Sequence, residues 1–117
     1  MITTTAVHQL IPGVALSGVS RLATTGFANY LASEFAPDGI RVNTVLPGWI
    51  ATQRIIDLAE GEAAGRGVSL DQVYEELTQA IPLRRFGEPD EIADAVVWLA
   101  WDRSSYLTGI NIRVDGG

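Results

Sequence analysis

One stretch restricts what this chain can fold into: Ile40-Arg41-Val42-Asn43-Thr44-Val45-Leu46-Pro47-Gly48-Trp49-Ile50-Ala51-Thr52. Ile40, Val42 and Val45 are β-branched and Leu46 extends the apolar run, as in a buried parallel strand. Pro47 has no N–H to give a ladder. Gly48 accepts backbone angles that other residues avoid, so a strand over 40–46 should stop there. In open α/β sheets, ligands bind outside the carboxyl ends of strands. Thr52 then lies just past such an edge with a hydroxyl to offer. On spacing alone, an ordinary Pro-Gly turn is the simpler reading.

The flanks supply the rest of an α/β pattern. Met1 to Thr5 reads as a short strand end, followed by a loop from Ala6 to Gly13 that carries the only histidine, His8. Nothing in the sequence puts an acid or a nucleophile beside His8. Val19, Leu22, Ala23, Phe27, Tyr30, Leu31 and Phe35 recur at three- and four-residue steps, which predicts a helix over 16–36 ended by Pro37-Asp38-Gly39. One side of this broad apolar stripe can cover a sheet; the other is free to meet a second copy in a homo-oligomer. Strand, helix, strand at this spacing is a βαβ unit, hence a parallel pair with a right-handed crossover.

Beyond the turn, a short helix is expected over 50–60, then a small, Gly-rich and charged stretch, 60–68, as a mobile lid loop. Ser69 and Gln72 have the spacing of a capping box, opening a helix lined by Val73, Tyr74, Leu77 and Ala80. Two helices and a loop after a strand's carboxyl end are common lid material, or decoration with no ligand role. Glu88-Pro89-Asp90-Glu91 opens a further helix, with acids at the positive end of its dipole. Ile92, Ala93, Val96, Val97, Leu99 and Ala100 predict that this helix is well buried. Ile110, Ile112 and Val114 alternate with Asn111 and Arg113 as an edge strand does.

Composition narrows the function classes. The chain has 117 residues, which suits one small domain, and a net charge of −6, which argues against a nucleic-acid partner. All its strong cations are arginines. It has no cysteine and one histidine, which argues against a zinc site. No apolar run reaches the roughly 18 residues of a membrane span, and without a basic region followed by a long apolar stretch at the N-terminus no secretory signal is expected. A soluble cytoplasmic protein without a membrane partner is the expectation.

Taken together, the blocks Gly39-Ile40-Arg41-Val42-Asn43, Pro47-Gly48-x-x-x-Thr52, Ile81-Pro82-Leu83, Arg85-Phe86-Gly87-Glu88-Pro89, Glu91-Ile92-Ala93, Tyr106-Leu107-Thr108-Gly109 and Val114-Asp115-Gly116-Gly117 resemble the short-chain dehydrogenase/reductase family in content, order and spacing. The resemblance covers the whole chain but only the carboxyl-terminal half of such an enzyme, which runs to about 250 residues. It implies the end of a doubly wound Rossmann-type parallel sheet, with about three strands plus crossover and lid helices. Residues 1–117 then form a single partial domain. It also implies NAD or NADP as cofactor and a small-molecule carbonyl or alcohol as substrate. The family's Gly-rich phosphate loop has no counterpart in this sequence.

The resemblance carries over residue by residue with mixed results. Pro47, Gly48, Ile50 and Thr52 match the turn that the family sets against the nicotinamide and its carboxamide. The family's Tyr-x-x-x-Lys falls on Ser17 and Arg21, and its strand serine on Thr4, with Thr3 and Thr5 as near alternatives. Thr4, Ser17 and Arg21 are therefore the candidate catalytic residues, in degenerate form. Thr keeps a hydroxyl and Arg keeps the charge with a different geometry. Ser removes the phenol, whose pKa is about 10, and with it the usual proton donor. Leu16-Ser17-x-x-x-Arg21 is similar to a subgroup of the family in which this pair replaces the usual one. Read without the family, Thr4, Ser17 and Arg21 are a strand threonine, a helix-start hydroxyl and a surface arginine. Two functions follow: an oxidoreductase transferring a hydride between NAD(P) and a carbonyl or alcohol, or a non-catalytic truncated fragment acting through subunit association.

Overall fold

The computed structural model describes residues 1–7 and 15–117. The loop residue His8 lies outside them. Strands β1 (Thr44–Pro47) and β2 (Asn111–Val114) pair in parallel, with Thr44 opposite Asn111 and Pro47 opposite Val114. On the other side of β1, Ile2 bridges Val45 in parallel. Thr3 N–H donates to Val45 O at 3.0 Å and Val45 N–H to Met1 O at 2.9 Å. Three parallel segments thus lie in the order Met1–Thr3, β1, β2, with β1 central. Its Thr44, Val45 and Leu46 are buried, as the apolar run predicts. Residues 5–7 turn into a 3-10 helix, Thr5–Val7.

The ladder begins later than expected. Residues 40–43 make no regular strand, and Ile40 is exposed. Side chains compete for this backbone. Val42 N–H donates to Thr108 Oγ1 at 3.1 Å, and the Asn43 side-chain amide donates to Leu107 O at 2.9 Å. Arg41 donates to the carbonyls of Leu99, Ser104 and Leu107, gathering the end of one helix and the turn that follows it. Of these, Leu99 O belongs to the last turn of a helix, where carbonyls lack intrahelical partners.

Helix α1 (Ala15–Phe35) matches the periodic stretch to within a residue. Its buried residues are Thr25, Ala28 and Ala32, spaced to lie on one face and small enough to bring the backbone close. Thr25 Oγ1 donates to Arg21 O at 2.9 Å and contacts Thr3 Oγ1 at 3.4 Å, tying α1 to the first segment. The large apolar residues Leu16, Val19, Leu22, Phe27 and Tyr30 are exposed. The helix ends in a 3-10 turn, Ala36–Asp38, with Gly39 left-handed at φ 75° and its N–H on Ala36 O.

Helices α2 (Gln53–Arg66) and α3 (Leu70–Gln79) correct the expected lid loop: 60–66 is helical, and only 67–69 turns. Gly61 and Gly65 lower intrinsic helix propensity. Packing offsets that, because Ala59 and Ala63 meet the fully buried Val73 of α3. Arg66 clamps the pair, with Glu62 and Glu76 each at 2.7 Å. These partners raise the Arg66 pKa and lower that of Glu76. The Ser69 hydroxyl caps α3 by accepting from Gln72 N–H at 3.2 Å. The Gln72 side chain does not return to complete a box; it donates to Glu76 at 3.1 Å.

Helix α4 (Pro89–Ala100) opens where expected, but its depth is a second correction. Only Leu99 is buried, and Val97 is 63% exposed. The short sheet offers little surface to pack on, so Ile92 is only half-buried and Val96, Val97 and Trp98 stay outside.

Candidate functional site

The turn after β1 is locked on two sides. Gly48 N–H donates to Val114 O at 3.0 Å, carrying the β1–β2 pairing into the turn. A Cβ on Gly48 would lie 2.6 Å from Asp115 Cβ and 2.8 Å from its Cα, so only glycine fits. Two residues on, Ile50 bridges Gly87 in parallel: Gly87 N–H donates to Trp49 O at 2.9 Å and Ala51 N–H to Gly87 O at 2.8 Å. That pattern turns the N–H and C=O of Ile50 away from Gly87. The C=O accepts from Thr52 N–H at 2.7 Å.

Thr52 then starts α2 through its backbone, its carbonyl accepting from Ile55 and Ile56 N–H, while its exposed side chain makes no cap hydrogen bond. Gly87 is held in turn by the following helix start. Arg85 grips Glu91 with two contacts of 2.7 Å, and the Glu91 carboxylate also accepts Glu88 N–H at 2.8 Å. The guanidinium, with this N–H, pulls the Glu91 carboxyl down to about 2, and the Glu91 carboxylate in turn raises the Arg85 pKa.

Pro47, Gly48, Ile50 and Thr52 line one hollow of about 410 Å³, together with Thr3, Thr4, Arg54 and Ile55. A second hollow of about 410 Å³ is lined by Thr4, Ser17 and Arg21 with Gly48, Trp49, Arg54, Ile55 and Leu58. Both are bounded by Thr3, Thr4, Gly48, Arg54 and Ile55, so they adjoin across the Pro-Gly turn. The two sets of residues singled out from sequence therefore meet in one open cleft.

The three threonines separate by their bonding. The Thr3 side chain is buried against Thr25, and Thr5 Oγ1 donates to Pro47 O at 3.4 Å. Thr4 is half-buried and its Oγ1 accepts Ala6 N–H at 3.3 Å, leaving the hydroxyl proton to give. Ser17 is exposed in the first turn of α1; Arg21, one turn on, donates to Ile2 O at 3.5 Å. Sequence reasoning overlooked Trp49, Arg54, Ile55 and Leu58. The signal for Arg54 was its place two residues past Thr52, at the start of a helix where a cation opposes the dipole.

Among the described residues, no group of side chains could hold a metal ion, and no helix is long and apolar enough to cross a membrane.

A family model described as enoyl-(acyl carrier protein) reductase matches residues 1–117. The chain is 41% identical to the short-chain reductase protein NovJ of Streptomyces niveus over 81% of its own length and 35% of that protein's. A short-chain dehydrogenase family protein from Francisella tularensis superposes with a TM-score of 0.94 at 31% identity, covering 99% of this chain and 49% of that one. An NADPH-bound short-chain oxidoreductase from Pseudomonas aeruginosa, described as containing an atypical catalytic center, superposes at 0.85 and 31% identity, covering 99% and 43%. The chain spans less than half the length of each of these relatives. A family match over the full length, with an α/β fold built on parallel strands, is sufficient: the chain belongs to the short-chain dehydrogenase/reductase family.

Proposed function

We propose that the cleft holds a nicotinamide ring on Pro47, Gly48, Ile50 and Thr52, and a carbonyl or alcohol carbon beside Thr4, Ser17 and Arg21, for hydride transfer with NAD(P). In this reading the chain is the carboxyl-terminal part of a doubly wound domain. One observation carries it: the two residue sets line adjoining hollows that share Thr4 and Gly48. The donor set suits the ring's carboxamide. Ile50 N–H is turned away from its bridge partner, and the Thr52 hydroxyl is not spent on capping α2.

Bound there, the nicotinamide supplies a hydride to a carbonyl carbon or accepts one from an alcohol. Pro47 and Gly48 keep the turn rigid beneath it. Thr4 Oγ1 and Ser17 Oγ donate hydrogen bonds to the substrate oxygen. The Arg21 guanidinium stabilises negative charge as it builds there. A serine hydroxyl is a far weaker acid than a phenol, so Ser17 orients the oxygen and the last proton comes from solvent, which the open cleft admits. A departure from the family's usual set is in keeping with the NADPH-bound neighbour described as containing an atypical catalytic center.

The test is an assay of the 117-residue chain with NADH and NADPH over a panel of ketones and aldehydes. Cofactor-dependent turnover that falls about a hundredfold in Arg21→Met supports the reading. Its absence in every combination contradicts it. A second reading, association without catalysis, is favoured by the exposed Leu16, Val19, Leu22, Phe27 and Tyr30 of α1, a face suited to a second copy.

A further inference from the structure

We infer that Arg54, supported by Arg21, makes the cleft selective for substrates that carry an anionic group, a carboxylate above all, on an apolar body near the reacting carbonyl. This deepens the carbonyl–nicotinamide reading and rests on it. Four observations converge. Arg54 borders both hollows and Arg21 borders one, whereas no Asp or Glu lines either, in a chain with 14 acids and a net charge of −6. A cleft that keeps two cations and excludes every acid from such a surface is complementary to an anion.

Among the described residues, Arg54 also has no internal partner. Among the described residues it forms no ion pair, while Arg66 and Arg85 are held by glutamates and Arg41 by backbone carbonyls. The acid three residues on, Asp57, already accepts from Gln53 at 2.8 Å. Arg54 stands in the first turn of α2, where a cation opposes the helix dipole and costs stability unless something else retains it. Beside it, Trp49, Ile55 and Leu58 form an apolar wall that suits a hydrocarbon or aryl body.

The probes are 3-benzoylpropionate and its methyl ester, which share a ketone and an aryl ring and differ in one charge. Calorimetric titration of the full chain at neutral pH should show the acid binding at least about tenfold more tightly than the ester. Arg54→Gln should bring the two within about twofold, and Arg54→Lys should restore part of the preference. Equal binding of acid and ester to the unaltered chain overturns the inference, as does a preference that survives Arg54→Gln. NADPH titrated into the same proteins separates the other source of anionic groups. If Arg54→Gln weakens NADPH and leaves the acid-to-ester ratio unchanged, Arg54 serves cofactor phosphates and the inference falls. If NADPH fails to bind while the ratio behaves as expected, the nicotinamide reading fails and anion recognition at Arg54 stands.

Discussion

Gly48 is where a single atom has the largest consequence. Its missing Cβ lets the turn lie on Asp115, and Gly48→Ala forces backbone as well as side chain to move. Denaturant unfolding should show a loss of about 1–3 kcal/mol, the usual cost of overpacking. Thr44 offers the opposite case. Its hydroxyl is buried with no hydrogen-bond partner among the described residues. Thr44→Val keeps the shape and removes an unmatched polar group, so stability should rise by about 1 kcal/mol in the same measurement. Glu91 gives a pH signature. Arg85 and the Glu88 N–H hold its carboxyl near 2, below its ordinary 4.5. Between those values the unfolded chain binds the proton and the folded chain does not. The contribution is therefore complete above about 4.5 and is lost as pH falls through about 2. Arg85→Gln should flatten that part of the stability profile; an unchanged acid limb would show that the pair does not brace the Gly87 connection.

At the level of elements, the sequence was most legible where period and punctuation agree. The 16–36 periodicity and the Pro37-Asp38-Gly39 stop located α1 to within a residue, because backbone propensity and the Gly39 left-handed turn point the same way. It was least legible where tertiary contacts override local signals. Glycines and charges over 60–68 read as loop, yet Ala59 and Ala63 against Val73, with Arg66 between two glutamates, carry the helix through to Arg66. The strand was overextended because Arg41 and Asn43 spend their side chains on neighbouring backbone, which no periodicity reveals. Pro47, Gly48, Ile50 and Thr52, grouped by their spacing, line one hollow, whereas placing Arg54 beside them required knowing where the first turn of α2 points. The α2–α3 pair rests on one small cluster, so Val73→Ala should cost about 2 kcal/mol and raise amide exchange across both helices more than in β1. Uniform acceleration across the chain would contradict that separation.

Over the whole molecule, large apolar side chains lie outside on α1 and α4, and on α1 it is the small ones that are buried. Leu16 is 88% exposed while Ala28 and Ala32 are buried. An exposed face of this kind favours association, and sedimentation should show a concentration-dependent dimer that Leu22→Glu disrupts while leaving the β1 turn intact. The cleft is the other whole-molecule feature, since the first segment, α1, the β1 turn and α2 each supply part of its wall. Its assignment as a nicotinamide and carbonyl site is tested most directly by saturation-transfer NMR of NADPH with the full chain. The account predicts stronger transfer to the nicotinamide ring protons than to the adenine protons, with the nicotinamide signal reduced in Thr52→Val. Absence of transfer, or transfer dominated by adenine and indifferent to Thr52, would contradict it.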